Sequence, residues 1–329
     1  MAHILVVSDS LHTLPKAVRA LDTSGHRVSY LHDLIPFPQI AAQGLADLGS
    51  VDAVVMGRVM GTDAAALDLV PNARVVAHHT SGTDNIDLAA ATARGIAVTN
   101  VKGVNAEQCA EFSIGLMLAI TRQIRRGDIA IRAGRWAADT QGSMDVWGAT
   151  FGMVGPGQIG RAAARRAKAF GMTILCHTRT PDPVIGAELG IEYCSLDDVM
   201  TRADVVSVYA SLNDQTRGMI GAREIALMQP HAYVVNIARG ELIDEAALTR
   251  ALQDNRIAGA ALDVFEREPL LESPLFALDN VILTPHQAGL THNAKSAAAE
   301  GAVANALAVL AGRTPPNLVN SWKPNGALS

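Results

Sequence analysis

A chain of 329 residues suffices for two ordinary domains, and 49% hydrophobic content with only 4% aromatics calls for aliphatic cores of Ala, Val, Leu and Ile. The net charge is −5, with the charges interspersed and no basic run, which argues against nucleic acid or an anionic membrane as main partner. Cys109, Cys176 and Cys194 fit neither a metal knuckle nor a redox pair, so no metal is expected and the thiols read as buried in a reducing compartment. The opening MAHILVVSDS carries no signal-peptide pattern and no uncharged apolar run reaches the ~18 residues of a spanning helix, so a cytoplasmic protein is expected.

Short β-type runs alternate with Ala- and Leu-rich helical segments. The first series is HILVV (3–7), HRVSY (26–30), DAVVM (52–56), RVVAH (74–78) and IAVTN (96–100). A long helix is then expected over 105–126, opened by Asn105 with Gln108 in capping-box spacing and apolar on most faces. The second series is ATFGMVG (149–155), TILCH (173–177), DVVSVY (204–209), AYVVNI (232–237), GAALDV (259–264) and NVILTP (280–285), followed by an Ala-rich helical tail from 292 to 311. Strands alternating with helices predict α/β architecture with doubly wound parallel sheets. Two domains are expected, 1–101 plus 293–329 and 102–292, the first made discontinuous by the returning tail.

FGMVGPGQIGRAAARRAKAFGM carries Gly155, Gly157 and Gly160 in G-x-G-x-x-G spacing, after a strand-like run and at the head of a helix. Gly155 allows the tight turn, Gly157 lets a pyrophosphate approach the backbone, and Gly160 lets helix and strand pack closely. Pro156 has no N–H to offer, so the donors are the backbone groups around Gln158 and Ile159 at the helix start.

Three segments of the C-terminal half place polar groups just past strands, on the edge that carries the glycine loop: Arg239 in VVNIARGELIDEAAL, Asp263 and Glu268 in GAALDVFEREPL, and His286 in VILTPHQAGLT. Oxidising a secondary alcohol removes a hydride and a proton. A nicotinamide takes the hydride and His286 takes the proton, with Glu268 favouring the imidazolium. Arg239 suits a carbonyl and a carboxylate. Taken singly, each has an ordinary structural explanation; together, beside a dinucleotide loop, they point to hydride-transfer chemistry.

Four motifs in order, GMVGPGQIGR, VVNIARGELIDEAAL, ALDVFEREPL and TPHQAGLT, closely resemble the D-isomer-specific 2-hydroxyacid dehydrogenase family, and SGTDNIDLAAATARGIAVTN and AEQCAEFSIGLMLAITRQI extend the likeness to the first half. The resemblance implies two Rossmann-like domains, a flavodoxin-like substrate domain and a dinucleotide-binding domain, in a homodimer built on the cofactor domain through the apolar helix 105–126. It implies that Arg239 binds the keto acid, that Glu268 pairs with His286 as general acid/base, and that Asp263 holds the nicotinamide carboxamide. It also implies substrate contacts from the backbone at Ser81 and Gly82 and from Arg58, and places Ala238 in the cofactor site. His78 and His79 stand where small apolar residues are usual, which favours a structural or substrate-shaping role, and Ser211 stands where a proline is common.

At the position where NAD-using members carry a ribose-binding Asp, this chain has Thr178, followed by Arg179 and Thr180. The triplet is similar to that of NADPH-preferring glyoxylate and hydroxypyruvate reductases. A charge-assisted phosphate contact worth about 1.5–3 kcal/mol implies roughly ten- to hundredfold discrimination for NADPH, with NADH still possible and Ser211 as a second contact. The expected activity is reduction of a small 2-keto acid to the D-2-hydroxy acid. The alternatives are the same fold acting on a sugar acid, phosphite or formate, or a non-catalytic dinucleotide sensor.

Overall fold

Short Val- and Ala-rich runs, buried on both faces, form the strands of two parallel sheets, as near-continuous apolar runs do when helices cover both sides. The computed structural model describes residues 1–57, 62–83, 85–136 and 143–323. The chain divides into two compact units, Met1–Asn105 with Leu290–Ser329, and Ala106–Gly289.

In the first unit, β1 (His3–Val7), β2 (Arg27–Leu31), β3 (Ala53–Met56), β4 (Val75–His78) and β5 (Ala97–Thr99) lie in the order β2-β1-β3-β4-β5, all parallel. This is the flavodoxin-like order. The period of two splits each strand between two cores. Ile4, Val6, Val55 and Val75 pack with Ala302, Val303, Ala306 and Val309 of the helix His292–Leu310. Leu5, Val7, Val54 and Met56 pack with Phe37, Ile40 and Leu67 on the other side.

In the second unit, β6 (Thr150–Val154), β7 (Thr173–His177), β8 (Ile191–Tyr193), β9 (Val205–Val208), β10 (Tyr233–Asn236), β11 (Gly259–Leu262) and β12 (Val281–Leu283) form a parallel sheet in the order β12-β11-β10-β9-β6-β7-β8. The strand order reverses between β6 and β9, the switch point at which open α/β sheets bind ligands beyond their carboxyl ends. Among the described residues no helix is long and apolar enough to cross a membrane.

Three features depart from the sequence reading. The helix expected over 105–126 ends at Thr121; Gln123 takes a left-handed backbone (φ 51°) and a second helix, Ile124–Arg132, follows. The first of the two helices buries Ile114, Met117 and Ile120 in its own unit's core, whereas Ile124, Ile129 and Ile131 of the second are exposed. Strand β8 went unpredicted, because its three residues bury only Ile191 fully and leave no apolar run to see. Cys194 is only half-buried, while Cys109 and Cys176 are buried and burial pushes their thiols up to about 11 and about 12, so both stay protonated.

The paired histidines follow strand alternation, which sends neighbours to opposite faces. His79 reaches Ser8 Oγ through Nε2 at 3.2 Å. His78 is fully buried, and among the described residues neither ring nitrogen has a hydrogen-bond partner. Burial, with His79 beside it, pushes His78 down to about 3, and burial also lowers His79. Below the ordinary value of 6.5 the unfolded chain binds protons that the folded unit refuses, so stability falls as pH drops from 6.5 toward 3. At pH 5 His78 alone costs about 2 kcal/mol. Thermal melts from pH 7.5 to 5 should show a steeper fall in Tm for the wild type than for His78→Leu; parallel curves would remove His78 as the cause.

Candidate active site

The glycine loop follows β6. Gly155 has φ +84°, and a Cβ there would lie 2.5 Å from Ala210 Cα, so only glycine fits this turn against the end of β9. At Gly160 a Cβ would meet Gly155 O and the Tyr209 ring, both at 3.2 Å. Tyr209 is itself fixed from behind, its hydroxyl 2.7 Å from Ser113 Oγ, which lies 3.2 Å from Ser207 Oγ. By contrast, a Cβ on Gly157 would meet nothing within 4 Å, and Gly157 N-caps the helix Gln158–Ala169 without a side-chain hydrogen bond. Gln158 is exposed and Ile159 half-buried. An open approach to uncapped first-turn N–H groups, above a turn crowded on its inner side, fits a dinucleotide pyrophosphate. Pro156 O accepts from Arg161 Nε at 3.4 Å, and Arg161 also pairs with Asp182 at 3.0 Å, placing a cation beside the loop.

Past β7, Thr178 is half-buried and its Oγ1 accepts from Thr180 N at 3.3 Å, while Arg179 is exposed. Past β9, Ser211 is exposed and its carbonyl accepts from Thr216 Oγ1 at 2.7 Å. The glycine loop, Thr178 and Ser211 therefore share the carboxyl edge of one sheet.

The ends of β10, β11 and β12 carry the second group. At the end of β10, Asn236 is 1% exposed and folds the chain back: its Oδ1 accepts from Ala238 N at 3.0 Å and its Nδ2 donates to Arg239 O at 2.8 Å. Arg239 is half-buried, with Nη1 donating to Ala238 O at 2.7 Å. A Cβ on the next residue, Gly240, would lie 1.9 Å from Phe265 C and 2.3 Å from Phe265 O. The Arg239 loop thus rests on the backbone of the loop that leads to Glu268. Glu245 and Glu266 tie the two loops again, each carboxylate accepting the other residue's N–H at 3.1 Å.

Past β12, the chain turns through His286, a non-glycine residue with φ +51°. Its Nδ1 lies 2.7 Å from Glu268 Oε2, and Phe265 N donates to Glu268 Oε1 at 3.2 Å. An ionised carboxylate only accepts, so Nδ1 carries the shared hydrogen and Nε2 is the nitrogen set for proton exchange. Both side chains are partly exposed, at 21% and 31%, so the pair orients the ring more than it stabilises the fold. Asp263 is fully buried: Oδ1 accepts from Thr284 Oγ1 at 2.6 Å and Gln287 N at 2.9 Å, and Oδ2 accepts from Ala288 N at 2.8 Å.

In the first unit, the loop after β4 is clamped: Asn100 Nδ2 donates to Ser81 O at 2.8 Å, Ser81 Oγ donates to Val101 O and Asn105 Oδ1 at 3.3 Å each, and Thr80 Oγ1 donates to Gly82 O at 3.3 Å. Arg58 lies outside the described residues.

Residues 114–288 match the family described as D-isomer specific 2-hydroxyacid dehydrogenase, NAD binding domain. The glyoxylate reductase of Thermococcus litoralis is 40% identical over 84% of this chain and 86% of its own. The chain belongs to the D-isomer-specific 2-hydroxyacid dehydrogenase family. Solved members have the same fold: a glyoxylate reductase from Paecilomyes thermophila, 32% identical, superposes with a TM-score of 0.86 over 97% of this chain and 98% of that one. An NADPH-dependent glyoxylate/hydroxypyruvate reductase from Sinorhizobium meliloti, crystallised with NADP and malonate, is 31% identical with a TM-score of 0.83 over 100% and 99%.

Within this dehydrogenase fold, the sequence motifs led to the polar side chains at the strand ends but not to what holds them. Asn236 was passed over inside VVNIARG, although an amide at a strand terminus before a turn is the signal that would have found it. Gly240, Tyr209 and Arg161 act through contacts with chain 21 to 96 residues away, which spacing does not reveal.

Proposed function

We propose that this protein reduces a small 2-keto acid of the glyoxylate or hydroxypyruvate type to the D-2-hydroxy acid, using NADPH in preference to NADH. The observation that carries the reading is the His286–Glu268 pair at 2.7 Å, on the same sheet edge as the Arg239 turn and the glycine loop. A reduced dinucleotide held by the glycine loop and the first turn of the helix Gln158–Ala169 would supply the hydride for the carbonyl carbon. His286 delivers the proton to the carbonyl oxygen from Nε2, and the imidazolium it starts from is held in orientation by Glu268 through Nδ1. Arg239 draws charge from the carbonyl oxygen and pairs with the substrate carboxylate, where its planar fork offers two parallel N–H groups. Backbone groups at Ser81 and Gly82, in the clamped loop of the first unit, together with Arg58, are the substrate contacts this reading gives to that unit. The unit carrying β1–β5 serves the substrate and the unit carrying β6–β12 the cofactor.

The preference for NADPH rests on Thr178 and the exposed Arg179. No carboxylate stands there to repel a 2′-phosphate, and the guanidinium suits one. Steady-state assays of glyoxylate, hydroxypyruvate and pyruvate with both cofactors should give kcat/KM about ten- to hundredfold higher with NADPH. Arg179→Ala should lower the NADPH value roughly tenfold and leave NADH nearly unchanged. Equal values with NADPH and NADH would contradict the cofactor assignment, and no turnover of any 2-keto acid would contradict the activity.

A homodimer formed through the cofactor-binding unit completes the reading. Exposed Ile124 and Ile131, with Trp136 at 90% and Trp147 at 81%, leave that unit with apolar surface of the kind a partner subunit covers. Light scattering should read twice the 34.5 kDa chain mass; a monomer mass at assay concentration would contradict it.

A further inference from the structure

Thr178 leaves no acid at the end of β7, but the loop it opens still holds one. Residues 178–182 lead from β7 to the helix Pro183–Leu189, and the last of them is Asp182. A carboxylate on this loop opposes a 2′-phosphate as any like charge does, unless a cation pairs with it. Asp182 is also fixed in place. Its Oδ1 accepts from Ile185 N at 3.2 Å as the N-cap of that helix. Its carbonyl accepts from Gly186 N at 2.8 Å and from the Tyr193 hydroxyl at 2.9 Å. The carboxylate is therefore held at the loop rather than free to swing away.

The cation that meets it is Arg161, whose Nη2 lies 3.0 Å from Asp182 Oδ2. Arg161 stands near the start of the helix Gln158–Ala169, where its N–H donates to Gly157 O at 3.0 Å. Its Nε donates to Pro156 O at 3.4 Å, inside the glycine loop. One guanidinium thus touches both the loop suited to the pyrophosphate and the loop that carries Thr178 and Arg179. The two side chains of the pair are 38% and 35% exposed, and a pair so wet adds little to the stability of the fold. Its effect on local charge is larger. Arg179 and Asp182 alone would cancel, and Arg161 tips the sum to positive.

We infer that Arg161 is a specificity-determining residue for the 2′-phosphate of the cofactor: it neutralises Asp182 and stands with Arg179 as a second cation at the ribose end. The inference rests on the proposed NADPH preference for its direction, whereas the contacts of Arg161 do not depend on that reading.

Calorimetric titration of NADP+ and NAD+ into the whole protein tests this without substrate or turnover. The two ligands differ only in the 2′-phosphate, so the ratio of their Kd values isolates it. Arg161→Gln removes the cation and uncovers Asp182. It should weaken NADP+ about tenfold and NAD+ by less than about threefold. Asp182→Asn removes the carboxylate, keeps a capping side chain for the helix and releases Arg161. It should tighten NADP+ about threefold and leave NAD+ within about twofold. At an ionic strength of about 1 M, where the Debye length is about 3 Å, both effects should shrink. A pair that only supports the fold would shift both ligands together, and in the same direction whichever partner is removed. That result would overturn the inference, as would an unchanged Kd ratio in either variant, so Asp182→Asn decides alone if Arg161→Gln does not fold. If the wild type binds the two ligands equally, the NADPH preference fails, while the ratio of each variant against the wild type still decides the role of Arg161.

Discussion

The carboxyl edge of the second unit's sheet depends on one close backbone contact. Gly240 presses against the carbonyl of Phe265, where a single added methyl would lie 1.9 Å from the carbonyl carbon. That contact sets the Arg239 loop on the loop that ends in Glu268. Glu268 then holds His286 at 2.7 Å, and Asp263, two residues before Phe265, holds the turn on which His286 stands. Three side chains from three strand ends are thus joined by contacts between neighbouring loops, with little slack at any step. Parallel strands make this possible, because β10, β11 and β12 are adjacent and deliver their loops to the same edge.

The glycine loop follows the same logic on the other side of the switch point. Its inner face is crowded: Gly155 meets Ala210, and Gly160 meets Tyr209, which Ser113 steadies from below. Its outer face at Gly157 is open, and the first turn of the following helix has no side-chain cap there. Crowding beneath and openness above is what a loop needs to stay fixed while an anion approaches its N–H groups. At the end of the next strand Thr178 stands where many dinucleotide loops keep an acidic residue, and the proposed preference for NADPH rests on that difference.

Much of this was legible in the chain itself. Alternating apolar runs and Ala-rich segments specify two parallel α/β sheets, and the order of four motifs specifies the family. The residues of those motifs point to chemistry because Arg, His and carboxylate at strand ends have few structural uses in combination. The edge strand β8 was not legible, because its three residues bury only Ile191 fully. Nor was the break at Gln123, where an apolar helical pattern continues through a left-handed residue. The contact of Gly240 with Phe265 was hidden for a different reason: it joins loops 25 residues apart, and a glycine after arginine reads as an ordinary turn. Asp263 shows the limit from the other side, since the motif identifies the residue but only the fold shows that it accepts hydrogen bonds from Thr284, Gln287 and Ala288.

His286 and Glu268 are proposed to work as one unit beside Arg239, and a double-mutant cycle on kcat/KM for glyoxylate reduction separates that coupling from independent roles. Glu268→Gln alone should lower kcat/KM by about tenfold or more, yet have almost no further effect in a His286→Ala background, because the carboxylate acts only through the imidazole. Additive losses would contradict the account, since they would give Glu268 a role independent of His286.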